Sequence, residues 1–416
     1  MTIAGKEKKS LKLNRDKMID SIFFVVLLVA VSSVTFLHFY HQVYGSEEAY
    51  HSDMKAYILE MQGLDSGYSF PYPVFFKLAA FLHLFTSPQV AVAIATMLLN
   101  SLSMVILKLA WNHLALEDLK RAWKDKGWLA GMVLSLLAGG MLFISMLYFP
   151  NEIYLPGIHF KYLGVFSPNP FHNATYMAAR PFSILAFLWF VKLLDCYEEG
   201  YAGRLKDYIL FSLFLLLATM TKPSFTIVLV GGAGLIMLYR LFRSRFGNFV
   251  PTLLLGLCFV PTFLDLLYQF KGVFVPVEGE EGGIGFCFGE VWGLYCGNIP
   301  AAICLAMGFP LLVLLINWRE CKNNTLYRFS WQLYLVSFAM AFFLYEKGFR
   351  KPDFNFSWGY MYGIFFAFIG ALQVLLKATA AKKKPVLLGI QWLGFLAHLG
   401  CGLYYFLGIY KGQMYY

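Results

Sequence analysis

The feature that most constrains this chain is a series of eleven apolar runs, most near the 20 or so residues that cross a bilayer as a helix. They fall near residues 19–40, 89–110, 128–149, 180–194, 208–221, 224–241, 249–269, 297–317, 329–346, 358–376 and 386–409. With 59% hydrophobic and only 14% charged residues, and a mean hydropathy of +0.61, too few polar side chains remain to cover a soluble surface. Disordered, collagenous and disulfide-scaffold classes are excluded on the same ground. So is nucleic-acid binding, despite a net charge of +10. The sequence predicts an all-α polytopic membrane protein of about eleven transmembrane helices.

The basic residues orient it. Lys6, Lys8, Lys9, Lys12, Arg15 and Lys17 precede the first run and are expected to hold the N-terminal segment, residues 1–18, in the cytoplasm. That run is too long for a signal-peptide core and no small-residue cleavage site follows it, so it reads as a retained span. With eleven spans, the N-terminal segment and the inner loops hold 23 of the 34 Lys and Arg, and the longer outer segments hold 10. This satisfies the positive-inside rule and puts the C-terminus outside. The spans at 208–221 and 224–241 are the least distinct pair, because Thr221-Lys222-Pro223-Ser224 also suits one broken or re-entrant element.

Polar groups gather in the predicted outer loops. Loop 41–73 carries Glu47, Glu48, His51, Asp53, Glu60 and Asp65, and runs into Phe70-Pro71-Tyr72-Pro73 and an amphipathic stretch, Val74 to Phe85, expected to lie in the interface. A carboxylate here can act as general base toward a hydroxyl, although an acidic outer loop is more often merely solvated. The fourth span is opened by Pro168-Asn169-Pro170-Phe171-His172-Asn173-Ala174-Thr175-Tyr176, with Arg180 next. Asn173 or Thr175 suits a helix cap, while His172 and Arg180 suit an anion at the membrane surface. Lys222 before Pro223 sets a cation at headgroup depth, its plainer role being to snorkel.

Other ionisable groups lie near the same face. Asp265 sits in the seventh span, with Lys222 or Lys271 as its expected partner, and Glu346 stands beside Lys347, Arg350 and Lys351. Cys287 and Cys296 share one outer loop, where an oxidising side would allow a bridge. No Cys/His spacing suggests zinc. The absence of GxxxxGK[ST] argues against an ATP-driven pump and against a nucleotide-sugar enzyme with a cytosolic catalytic domain.

Four of these features resemble the C-type (GT-C) fold of integral-membrane glycosyltransferases that use polyprenyl-phosphate sugars. They are His51-Ser52-Asp53 with Tyr57 after the first span, the interfacial stretch opened by Tyr72-Pro73, the Asn169-Pro170-Phe171-His172-Asn173 loop, and Thr221-Lys222-Pro223-Ser224. The resemblance covers roughly the first seven spans. It implies a catalytic transmembrane module over 19–270, with the catalytic outer loop at 41–88, and a variable module over 271–416. Where the family often shows two adjacent acids or Asp-x-Asp, this chain has Glu47-Glu48 and a separate Asp53, and the spacing to Tyr57 favours Asp53 as the base.

The resemblance further implies a donor sugar on a polyprenyl phosphate whose tail lies between spans, and a glycan, lipid-linked or polymer acceptor. Lys222, His172, Arg180 and Arg350 would hold the donor phosphate. Glu48, His51, Tyr57, Asn173, Asp265 and Glu346 would contact substrate. Some family members need a divalent metal (Mg or Mn), for which Glu47, Glu48 and His51 offer ligands. The compact chain leans toward a bacterial plasma membrane rather than the endoplasmic reticulum, with the active site outside. An O-antigen-type polymerase or ligase acting on a diphosphate-linked glycan ranks second, because its outer loops are usually richer in arginine. A transporter or flippase of lipid-linked sugar ranks third, because it would need polar residues at the membrane midplane.

Overall fold

The computed structural model describes residues 3–46, 48–124, 126–149, 155, 157–200, 204–273 and 283–413. The protein is nearly all-α, 76% helical, and is a polytopic membrane protein. Helix α1 (Ile3–Tyr44) leads through α2 (Met54–Met61) and α3 (Pro73–His83) to α4 (Pro88–Ala122), α5 (Gly127–Gly140) and α6 (Ala174–Leu194). Then follow α7 (Leu205–Thr221), α8 (Ser224–Arg243), α9 (Phe249–Leu257), α10 (Val260–Val273), α11 (Glu290–Tyr295), α12 (Ile299–Ile316) and α13 (Trp318–Lys322). Helices α14 (Thr325–Phe343), α15 (Ser357–Ala380) and α16 (Pro385–Tyr410) complete the chain. Among the described residues seven helices are long and apolar enough to cross a membrane, and an eighth if α9 and α10, bent by 47°, form one broken span. Strands β1 (Ile284–Phe286) and β2 (Leu344–Glu346) pair antiparallel.

Capping residues fix where several helices begin. Ser87, Asn173, Asn298 and Asn324 each accept a first-turn backbone N–H of α4, α6, α12 and α14. Polar contacts then gather the helix ends into two groups. At one end Tyr44 meets Ser87, His41 packs on Tyr410 and Gln269 donates to the Thr219 carbonyl. At the other, Lys108 pairs with Asp20 at 2.8 Å, Arg240 donates to the Leu194 carbonyl and Asn324 donates to Gln373. Close approach is set by small residues, as is usual in membranes. A Cβ on Gly363 of α15 would collide with Ser337 Oγ of α14.

One expected span is only partly helical. The run at 128–149 is α5 as far as Gly140, after which residues 141–148 are irregular and mostly buried. Backbone of this kind survives inside a membrane protein only where other groups satisfy it. Here Ser145 N–H donates to the His398 carbonyl, Leu147 N–H to the Leu305 carbonyl, and Asn169 Nδ2 to the carbonyls of Met141 and Ile144. Gly402 admits the strip, since a Cβ there would fall on the Phe143 carbonyl oxygen. The fully buried His398 completes the arrangement: Nδ1 lies 2.6 Å from the Ser145 carbonyl and Nε2 accepts the Phe309 N–H at 3.1 Å. His398→Leu is expected to lower the midpoint of thermal unfolding in detergent, with a loss of about 1–3 kcal/mol from the orphaned backbone groups. A melting curve equal to that of the native chain would show that these bonds contribute nothing.

Candidate active site

Asp53, the α6 cap Asn173 and Lys222 line one cavity of about 820 Å³. Its walls come from the loop before α2, from α2, from the segment leading to α6, from the α7–α8 junction, from α10 and from the β2–α15 region. Asp53, at the N-terminus of α2, is half-buried. Its Oδ2 accepts from Asn173 Nδ2 at 2.5 Å and from the Tyr57 hydroxyl at 3.2 Å, which leaves Oδ1 without a described partner. Asn173 is buried and fully used, because its Oδ1 caps α6 and its Nδ2 also reaches the Tyr57 oxygen at 2.8 Å. Burial, with Asp53 adjacent, pushes the Tyr57 hydroxyl well above its ordinary value, so it stays protonated as a donor.

Lys222 closes the other side of this network. Thr221 ends α7 and Pro223 precedes α8, so the junction presents Lys222 from extended backbone. The side chain is 7% exposed, and Nζ donates to Thr175 Oγ1 at 3.2 Å. Thr175 in turn bonds Asn173 and Tyr57, so base candidate and cation are joined through the first turn of α6. The ammonium lies 4.6 Å from the Trp358 ring centroid and 5.7 Å from that of Tyr72. Among the described residues it has no carboxylate partner within ion-pair distance. Burial lowers its pKa to about 8, with Asp53 pulling upward and Arg350 downward.

His172 and Arg350 also line the cavity, but neither is a free cation. Burial lowers His172 to about 4, against the pull of Asp53 and with Lys222 and His51 adding to the fall. It is therefore a neutral ring at physiological pH, bonded to the Tyr162 hydroxyl and packed 5.5 Å from Trp358. Arg350 Nε sits 3.4 Å from Glu346 and 3.5 Å from Asp353, and Asn355 Nδ2 donates to Glu346 at 2.8 Å. Glu346, Asp353 and Asn355 face the same cavity, as does the exposed His51.

Three expected site residues lie elsewhere. Arg180 is fully buried within the bundle: Nη1 is 3.3 Å from Asn100 Oδ1 and the guanidinium stacks 5.0 Å from Phe365. Seven residues beyond the cap of α6 at about 1.5 Å each, it lies two turns below the cavity. Glu48 is exposed and does not line the cavity, and Glu47 lies outside the described residues. Asp265 accepts from Gln269 Nε2 at 2.7 Å rather than pairing with Lys222, and Leu266 and Gln269 take the cavity-facing positions of α10 instead. Cys287 and Cys296 are both free thiols. Among the described residues no three His, Cys, Asp or Glu side chains gather to hold a metal ion. Glu47, offered by the sequence as a ligand beside Glu48 and His51, lies outside the described residues.

The sequence left Trp358, Tyr72 and Tyr162 unassigned in chemistry. With 26 Tyr and 42 Phe in the chain, no local signal separates a ring beside a buried ammonium from one facing lipid. Thr175 stood out only as a capping candidate, and its use as a relay between Lys222 and Asn173 needs α7 and α6 side by side. Comparisons with protein-family models, with curated proteins and with solved structures find no match to this chain.

Proposed function

We propose that this protein is a membrane glycosyltransferase of the GT-C type, moving a sugar from a polyprenyl-phosphate donor to an acceptor hydroxyl at the outer face of a bacterial plasma membrane. One observation carries the reading: among the described residues, a buried lysine with no carboxylate partner shares a cavity and a hydrogen-bond network with a carboxylate whose second oxygen has no partner. An uncompensated buried cation is costly unless an anion completes it. A phosphate monoester or diester supplies that charge.

The chemistry follows from the two ends of the network. Asp53 takes the proton from the acceptor hydroxyl as its oxygen attacks the anomeric carbon. The bond from that carbon to the phosphate oxygen breaks, with inversion, and polyprenyl monophosphate leaves with an added negative charge that Lys222 stabilises from a fixed position. Tyr57 and Asn173 hold the carboxylate, and neutral His172 offers a hydrogen bond without charge. Trp358 and Tyr72 give a ring platform suited to a sugar face. Ile227, Val228, Leu266 and Met340 make an apolar flank suited to the prenyl chain. The alternating grouping of helix ends fits eleven crossings, counting α5 with its irregular extension, α7, the α9–α10 pair and α14. The excess of basic residues at the end opposite the cavity favours a cytoplasmic N-terminus with the cavity outside.

The test is a transfer assay with purified protein, radiolabelled polyprenyl-phosphate sugars and a panel of glycan and lipid-linked acceptors. Release of sugar from one donor, with polyprenyl monophosphate as the second product, is the expected result. Turnover only of diphosphate-linked glycans would replace the reading with a polymerase or ligase. Flipping of a lipid-linked sugar in vesicles without turnover would replace it with a transporter.

A further inference from the structure

A second cavity, of about 540 Å³, opens at the opposite end of the bundle, between the α12–α13 junction and the turn joining α15 to α16. Sequence patterning gives this end its loops of Lys and Arg but no reason for a cavity among them. The cavity is lined by Arg319, Lys383 and Lys384 together with the single carboxylate Glu320. Lys383 is bonded to Glu320, so the carboxylate is already neutralised. Arg319 and Lys384 make no ion pair with any described residue. Lys384 is also the N-cap of α16, and Pro385 follows at the first helical position. The first-turn N–H groups of Val386 and Leu387 therefore have no acceptor within the helix and add to the positive field.

The other lining is apolar or aromatic. Leu387 and Leu388 form part of the wall, and Trp318 is 62% exposed at the rim. Leu315 and Val386, 78% and 73% exposed, continue an apolar surface beside it, as expected where a helix leaves the hydrocarbon. Beneath, the buried Asn317 donates to Gln391 at 2.5 Å, which ties α12 to α16 and fixes the floor. A basic recess between transmembrane helices with an apolar rim has the chemistry of a phospholipid headgroup site: phosphate against the cations, acyl chains along the rim.

We propose that this recess binds an anionic phospholipid of the surrounding leaflet, with Arg319 and Lys384 on its phosphate. The proposal is independent of the activity assigned to the larger cavity. Its occupant is a lipid rather than a soluble anion, because the cations stand at a rim that is continuous with the lipid-facing surface.

The experiment is native mass spectrometry of the full-length protein released from nanodiscs of phosphatidylcholine with and without phosphatidylglycerol. The native chain is expected to retain one phosphatidylglycerol in preference to phosphatidylcholine, and Arg319→Ala with Lys384→Ala to reduce that retention about tenfold or more. A control pair at the same end, Arg328→Ala with Lys377→Ala, lies outside the recess and is expected to leave it unchanged. Equal loss in both pairs would reduce the effect to general surface charge and overturn the proposal. So would retention that does not distinguish the two lipids, or displacement by inorganic phosphate. Melting of both pairs in phosphatidylcholine alone, equal to that of the native chain, separates lost binding from lost folding.

Discussion

Asp53→Asn is expected to reduce sugar transfer by about 10²–10⁴-fold, the usual contribution of a positioned general base. The affinity for polyprenyl phosphate should stay within about twofold. The separation follows from geometry. The amide oxygen of Asn can still accept from Asn173 and Tyr57, so the network that places α2 against α6 persists. What disappears is the basic oxygen that takes the acceptor proton. A loss confined to turnover, with product-lipid affinity preserved, identifies the base. Survival of activity in Asp53→Asn, with loss in Glu48→Gln or Glu47→Gln, would move the base to the paired acids earlier in the loop. Parallel loss of turnover and lipid affinity would instead mean that Asp53 is structural.

Lys222→Ala is expected to weaken polyprenyl-phosphate binding by about 10–100-fold, as for removal of a charged hydrogen-bond donor from a buried site. The pH dependence carries more information than the magnitude. A pKa of about 8 means that the free protein holds the charged amine below that pH and loses it above. Affinity should therefore be level up to about pH 7.5 and fall about tenfold per pH unit above 8. Lys222→Arg, charged throughout this range, should show weaker binding but no alkaline fall. The empty protein should respond in the opposite sense. Because burial depresses the folded pKa below the ordinary lysine value, the unfolded chain binds more protons between the two values, and stability rises with pH there. Calorimetric titration with polyprenyl phosphate across pH 6–9.5 checks the first expectation, and a native-chain affinity that does not fall above pH 8 would remove Lys222 from the phosphate site.

The membrane class and the placement of helices were readable because apolar periodicity and length are local properties of the chain. The same holds for caps: Asn173 was legible as a cap from its neighbours, and it is one. Its second role, donating to Asp53 from 120 residues away, is not local and left no mark on the sequence. Arg180 shows the converse error. An arginine near a polar loop reads as interfacial, but the register of α6 carries it two turns into the bundle, where Asn100 and aromatic rings receive it. The split at residue 270 into a catalytic and a variable module likewise follows sequence likeness rather than space. Glu346, Arg350 and Trp358 stand in the same cavity as Asp53 and Lys222.

The irregular strip after α5 has a consequence for biogenesis. Its Ser145 carbonyl finds its partner in His398, 253 residues later in synthesis. At the usual pace of translation, that interval is on the order of tens of seconds. During it, the Ser145 N–H and carbonyl lack their His398 partners, although Asn169 and, once α12 is made, Leu305 already satisfy the neighbouring backbone. The nascent protein must be sheltered over that time, by the insertion machinery or by water drawn into the bundle. Arrival of α16 is thus the event that seals the membrane-embedded chain, and a ribosome that stalls before it leaves a conspicuous substrate for membrane proteases.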